Sequence, residues 1–269
     1  MQWTVEQLQE RLREVSAESG AGWPVFFGGS FDPFHRGHAA VAAALHRYFS
    51  PWPVTLLPNR VSPLKVAERE KTETAKKYTG IGSRGREIRP DGVQKIGLME
   101  AVIQDLRRQL RLPLQNSLPG LELWELQREG PSYTAETLRH LLAPSSQSGG
   151  KACVLALGMD SFCTLKQWKD WPYLLDTCVF IVFRRDGKGF FPDGFCPDGE
   201  IEARADYLML DLDEPYSSTA IRQRLVGLER PPREAERREL EYVLGENQLR
   251  YILEHGLYRL GESRSVKDW

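Results

Sequence analysis

The chain has 269 residues, with 36 basic and 37 acidic side chains and a formal net charge of −1. That balance leaves no global field to steer it toward a nucleic-acid polymer or an anionic membrane. The length suits one large α/β domain, and no apolar run approaches the roughly 18 residues of a membrane span.

In chain order, Trp3, Val5, Leu8, Leu12 and Val15 recur at near-helical spacing and predict an amphipathic helix over residues 1–20, ended by Gly20. This N-terminal stretch is polar and lacks a signal-peptide apolar region. Residues 1–22 are read as a helical extension and 23–269 as a single domain. Val25–Phe27 is a short buried strand, His35–Phe49 the first helix and Val54–Leu57 the second strand, closed by Pro58. Strand, helix, strand opens a doubly wound sheet, in which ligands bind beyond the strand C-termini.

Residues 60–95 break the rhythm, with ten basic side chains against five acidic ones. The stretch reads as an exposed basic loop. Its Gly80–Gly85 run has the G-x-G-x-x-G form, but no apolar strand precedes it, so the dinucleotide reading fails on context. Val93–Leu110 is predicted helical, Leu121–Leu126 a strand, and Tyr133–Leu142 a helix introduced by Pro131-Ser132. Ala152–Leu157 and Cys178–Phe183 are continuous apolar runs, as buried parallel strands are. Two short helices, Asp160–Leu165 and Trp168–Leu175, lie between them. Residues 185–205 are turn-rich, Tyr207–Leu210 is the last strand, and Ser217–Leu228, Glu234–Leu244 and Asn247–His255 are helices. Alternation of this kind predicts an α/β fold: a doubly wound parallel sheet with a helical C-terminal part. Cys153, Cys163, Cys178 and Cys196 form no C-x-x-C pair, and reduced thiols in a cytoplasmic setting are the expectation.

The most informative stretch is Gly28-Gly29-Ser30-Phe31-Asp32-Pro33-Phe34-His35-Arg36-Gly37-His38. Two glycines end the first strand and let the backbone approach a ligand. The helix start that follows adds unpaired N–H groups and partial positive charge, an anion site. His35 and His38, three residues apart, face the same way on the first turn and could both donate to one phosphate. A nucleoside triphosphate site is the reading. Zinc would need a third ligand and, on a helix, usually i, i+4 spacing; none is evident, and no protein metal site is expected.

This stretch resembles the G-G-[ST]-F-D-P-x-H-x-G-H signature of the nucleotidyltransferases with a Rossmann-like fold, and Ser217-Ser218-Thr219-Ala220-Ile221-Arg222 resembles their S-S-T-x-I-R signature. Three further stretches are similar to elements of the bacterial nicotinate mononucleotide adenylyltransferases. They are Pro58–Lys65 (P-N-x-x-P-P-x-K), Pro131–Leu138 (P-S-Y-T-x-x-T-L) and Leu157–Asp160 with Leu165–Trp168 (G-x-D…L-x-x-W). The tail Tyr251–Tyr258 is also like theirs. Two stretches depart from the pattern: roughly 25 residues inserted after Val66, giving a basic loop at about 66–92, and Arg184-Arg185-Asp186-Gly187 where R-P-G is usual.

The resemblance implies adenylyl transfer from ATP, with Mg²⁺ carried by its phosphates, to nicotinate mononucleotide, giving deamido-NAD and pyrophosphate in NAD biosynthesis. His35, His38 and Arg222 would be catalytic. Gly28, Gly29, Ser30, Phe31, Ser217, Ser218, Thr219 and Lys65 would bind ATP. Asn59, Thr134, Asp160 and Trp168 would hold the pyridine nucleotide. Ordinary helix capping by Ser217 or Asp160, and a core role for Trp168, stay open beside these readings. Other acceptors stay open as well: nicotinamide mononucleotide, pantetheine phosphate or a cytidylyl transfer, or a non-catalytic nucleotide-binding regulator. So does a homo-oligomer. The basic insertion is expected to act as a lid over the triphosphate.

Overall fold

A computed structural model describes residues 1–19, 23–64, 87–110, 120–142, 150–185, 199–212 and 214–260. Lys65, Cys196 and most of the basic insertion lie outside these residues. Six parallel strands form one sheet: β1 (Val25–Gly29), β2 (Val54–Pro58), β3 (Gly120–Leu121), β4 (Cys153–Gly158), β5 (Cys178–Arg185) and β6 (Asp206–Leu212). Their spatial order is β3-β2-β1-β4-β5-β6. The order reverses between β1 and β4, which makes the gap beyond their C-terminal ends the topological switch point of a doubly wound sheet.

The helices are α1 (Val5–Ser19), α2 (Arg36–Phe49), α3 (Gly92–Leu110), α4 (Trp124–Gln127), α5 (Thr134–Leu141), α6 (Met159–Cys163), α7 (Trp171–Thr177), α8 (Gly199–Arg204), α9 (Ser218–Val226), α10 (Glu234–Leu244) and α11 (Glu246–Glu254). One apolar core lies between one sheet face and α1, α2 and α3, and it includes the fully buried Leu8 and Leu12 of α1. A second, under the other face, gathers α5, α6 and α7 around Phe162 and Phe180. A third joins α3 to α9, α10, α11 and Tyr258. Full burial of leucine and phenylalanine side chains contributes about 1.5–3 kcal/mol each, so these layers hold the strand ends rigidly.

Two sequence expectations need correction. Leu121–Leu126 is not one strand. Only Gly120 and Leu121 pair with β2, opposite Thr55 and Leu56. The Glu122 carboxylate then accepts the Trp124 N–H at 2.9 Å and turns the chain into α4. The local bond outcompetes a strand whose outer edge has no further partner among the described residues. The turn-rich stretch 185–205 closes in α8, which buries Ile201. No described helix is long and apolar enough to cross a membrane.

Candidate active site

β1 ends at Gly28 and Gly29, directly opposite Leu57 and Pro58 of β2. A Cβ on Gly28 would meet only Leu155 Cδ1, at an ordinary 3.8 Å, so packing does not demand glycine there. At Gly29 it does. A Cβ would lie 2.5 Å from Phe31 Cε1, because the Phe31 ring folds back over the glycine. Phe31 makes that turn with φ +43, in the left-handed region. Such backbone costs on the order of 1–3 kcal/mol in a non-glycine residue. Burial of the ring, edge-on to Phe27 at 5.2 Å and to His38 at 5.1 Å, offsets it.

His35 occupies the N-cap position of α2 and is buried. Its main-chain N–H donates to His38 Nδ1 at 3.2 Å, and the two rings stack with centroids 3.8 Å apart. Phe31 and Phe34, each 5.1 Å away, wall in the His38 ring. Because Nδ1 accepts this bond, the proton of a neutral His38 belongs on Nε2, where it can be donated.

The second motif docks onto this loop. Ser217 caps α9, its Oγ accepting the Ala220 N–H at 3.2 Å. The Ser218 hydroxyl donates to the Pro33 carbonyl at 3.1 Å. Arg222 donates to the Asp32 carbonyl at 2.5 Å and to Thr219 Oγ1 at 3.1 Å. The Asp32 carboxylate accepts from the Tyr258 hydroxyl at 2.8 Å and pairs with Arg89. Burial raises the Asp32 carboxyl, but Arg89, Lys95, Tyr258 and Arg222 outweigh it and hold it below its ordinary value. Tyr258 is pushed well above its own, first by burial and then by Asp32, and so remains a donor. Gln248, buried at the start of α11, donates to the Phe34 carbonyl at 2.8 Å. Asp105 of α3 in turn accepts the Asn247 and Gln248 N–H groups.

The opposite wall rises from β2, α5 and β4. The Asn59 N–H donates to the Gly29 carbonyl at 2.9 Å, and its own carbonyl accepts from Lys95 Nζ. Ser132 does not cap α5; Tyr133 stands at the N-cap position. Instead Ser132 Oγ accepts the Arg60 N–H at 2.9 Å, and its N–H donates to the Val61 carbonyl at 2.9 Å. That pins Thr134, the first residue of α5, to the exit of β2. Buried Glu125 accepts from Thr137, and burial raises its carboxyl above the usual range. Asp160 stands exposed in the first turn of α6, just past the end of β4. Trp168 is half-buried against the core cluster that includes Phe162 and Leu165.

His35, His38, Phe31, Ser218 and Arg222 are therefore joined in one bonded unit, as the sequence motifs predict. Asn59 is tied to β1. Asp160 follows the end of β4 directly, while Thr134 opens α5 and Trp168 packs on the second core, each on a separate element. The sequence reading missed Glu87, Arg89, Lys95, Gln248 and Tyr258. Tyr258 alone carried a signal, since it closes the tail already noted. Among the described residues, no three His, Cys, Asp or Glu side chains gather closely enough to hold a metal ion.

A family model described as Cytidylyltransferase-like matches residues 26–80, the segment that opens with β1 and the histidine loop. A relative from Aquifex aeolicus, named as a nicotinate-nucleotide adenylyltransferase, is 30% identical over 179 residues, which covers 63% of this chain and 86% of that protein. The chain belongs to the nicotinate-nucleotide adenylyltransferase family. A relative of the same name from Cronobacter sakazakii is 28% identical over 251 residues, 87% of this chain and 94% of that one. Among solved structures, the Plasmodium falciparum nicotinic acid mononucleotide adenylyltransferase complexed with NaAD shares the adenylyltransferase fold. It aligns with a TM-score of 0.52 at 16% identity, over 87% of this chain and 96% of that chain.

Proposed function

We infer that this protein transfers the adenylyl group of ATP to nicotinate mononucleotide, releasing pyrophosphate and giving deamido-NAD for NAD biosynthesis. The observation that carries the reading is the junction of the two motifs. Ser218 and Arg222 bond the main chain of Pro33 and Asp32, which joins the histidine loop to the α9 N-terminus and supports reading the two as one anion-binding unit. In the reaction a phosphate oxygen of the mononucleotide bonds to the α-phosphorus of ATP. The bond from that phosphorus to the bridging oxygen breaks, and pyrophosphate leaves with the electron pair. Such chemistry needs positioning and charge stabilisation rather than a protein nucleophile.

His38 Nε2–H would donate to the α-phosphate, with His35 beside it. The main chain of Gly28, Gly29, Ser30 and Phe31 would line the triphosphate. Ser217, Ser218 and Thr219 at the α9 N-terminus, with Arg222, would brace its outer phosphates. Asn59, Thr134, Asp160 and Trp168 would receive the mononucleotide. Mg²⁺ would enter on the phosphates, completed by water. The nearest carboxylate on the histidine loop, Asp32, is already committed to Arg89 and Tyr258.

The test is steady-state pyrophosphate release with ATP or CTP as donor and nicotinate or nicotinamide mononucleotide as acceptor. The highest kcat/KM is expected for ATP with nicotinate mononucleotide. Turnover confined to CTP, or absent with both acceptors, would overturn the assignment.

A further inference from the structure

Residues 87–89 are the first described residues of the returning end of the insertion that the family pattern lacks. They do not hang free. Glu87 forms an antiparallel bridge with Leu260. The Ile88 N–H donates to the Arg259 carbonyl at 2.8 Å, and the Tyr258 N–H donates to the Ile88 carbonyl at 2.7 Å. The returning chain is thus zipped to the tail that follows α11, and the zip aims two side chains at the site. Arg89 pairs with the Asp32 carboxylate through Nη1 and with Glu87 through Nη2 at 2.8 Å. The other oxygen of Glu87 lies 3.7 Å from Arg222 Nε. One carboxylate therefore faces two guanidinium groups, one per oxygen.

That arrangement has the shape of an anion site. Two oxygens bridging two planar guanidinium groups is how arginines hold phosphate. Asp32 cannot fill this role, since its oxygens are bonded to Arg89 and Tyr258 and its position is fixed in the loop. Glu87 sits on a short bridge with a quarter of its side chain exposed, while the Oε1 that faces Arg222 is itself buried and accepts no hydrogen bond from the described residues. Burial, followed by the like charge of Arg89, makes the charged form of Arg222 less favourable than usual; Asp32 and Glu87 only partly relieve this. An added anion would relieve it further.

We propose that Glu87 is an internal counter-ion that holds Arg222 and Arg89 until ATP binds, and that the outer phosphates of ATP displace it, bringing Arg89 into the triphosphate-binding set beside Arg222. The proposal rests on the reading of Arg222 as a phosphate-bracing residue. It adds that the inserted segment supplies both a second arginine and the carboxylate that competes for it. ATP binding is then an exchange of one anion for another, and the affinity for ATP and for pyrophosphate is set lower than the two arginines alone would give.

Glu87→Gln and Arg89→Gln separate these roles in the full chain. Removing the competing charge in E87Q should lower the KM for ATP and the inhibition constant for pyrophosphate by about threefold to tenfold, since an arginine–carboxylate contact is traded for arginine–phosphate contact alone. Removing the second guanidinium in R89Q should raise both by about tenfold, with R89K intermediate. The KM for nicotinate mononucleotide should not move in any of them. An unchanged or higher ATP KM in E87Q would overturn the proposal. So would an R89Q variant with lower kcat and equal changes in both KM values, the mark of a merely structural brace on Asp32. Binding of inorganic tripolyphosphate by calorimetry gives the same ranking without turnover. It tests the counter-ion even if the acceptor is not nicotinate mononucleotide, and the acceptor assignment fails only in the turnover panel. Should R89Q not fold, E87Q and R89K still decide the outcome.

Discussion

The two walls of the crevice are held in different ways. On the side proposed for ATP, side chains far apart in sequence bond to one loop: Ser218 and Arg222 to Pro33 and Asp32, Tyr258 and Arg89 to Asp32, Gln248 to Phe34. On the side proposed for the pyridine nucleotide, the cross-links join elements nearer in sequence: Ser132 to Arg60, Thr137 to Glu125, Lys169 to Glu136 and Arg139 to Asp170. The lesson is one of rigidity. A site for a transition state requires groups fixed relative to one another, and long-range bonds supply that. A site that must admit and release a second substrate can be built from neighbouring surfaces. Changes to the groups that tie the proposed ATP side together, Asp32 above all, should therefore reach turnover and stability together, whereas changes on the proposed pyridine side should stay within the KM of one substrate.

The sharpest break is His38→Ala. Loss of one preorganised donor to a developing charge costs about 10²- to 10³-fold in kcat. Steady-state assays should find that fall with the KM for both substrates little changed, and a thermal melt should find the fold intact. A fall of less than threefold would remove His38 from catalysis.

Asp32→Asn tests whether the ATP side is one mechanical unit. Its carboxyl is held below the ordinary value of 3.8: burial raises it, and Arg89, Lys95, Tyr258 and Arg222 together outweigh that. The folded value is therefore below the unfolded one. The ionised group stabilises the protein above the unfolded value, and that stability is lost as pH falls through the folded value. With bonds to charged partners worth roughly 1.5–3 kcal/mol, and about 2–4 °C of Tm per kcal/mol for a chain of this size, D32N should lower Tm at pH 7 by about 3–12 °C. The gap between variant and parent should narrow on acidification below the ordinary aspartate range, as melts across a pH series would read. A gap independent of pH would mean that the amide itself, not the lost charge, causes the damage.

Trp168→Ala probes the other wall. Stacking on a flat ring is worth about 1–3 kcal/mol, so the KM for the mononucleotide should rise about tenfold while that for ATP holds. If both constants move together, Trp168 is a core tryptophan and nothing more. The smallest effect is expected for Ser218→Ala. It removes one hydroxyl bond between the motifs, worth about 1 kcal/mol, and should reduce kcat/KM for ATP by about threefold to tenfold. Unchanged kinetics there would show that Arg222 alone joins the two halves.

Much of the fold is legible in the sequence. The apolar runs Cys153–Leu157 and Cys178–Phe183 announce buried parallel strands because both faces of the sheet are covered. The glycine pair followed by two histidines marks a tight turn into a helix, because that geometry is local to one turn. Leu121–Leu126 was misread because its alternating leucines carry a strand pattern, while a single carboxylate–amide bond at Glu122 decided for a helix. Arg89 and Glu87 gave no signal, as two charges in a basic stretch look like solvated surface until the bridge to Leu260 turns them inward.

The sequence by itself therefore determined what depends on neighbours along the chain: strand and helix periods, the turn at Gly29, the facing pair His35 and His38, and the cap at Ser217. The tertiary structure alone decided which distant groups share a charge. It brought Arg89, Arg222 and Tyr258 onto Asp32, and Lys95 onto Asn59. The reason is physical: burial strips water from these groups, so each must find its partner across the fold rather than beside it in sequence.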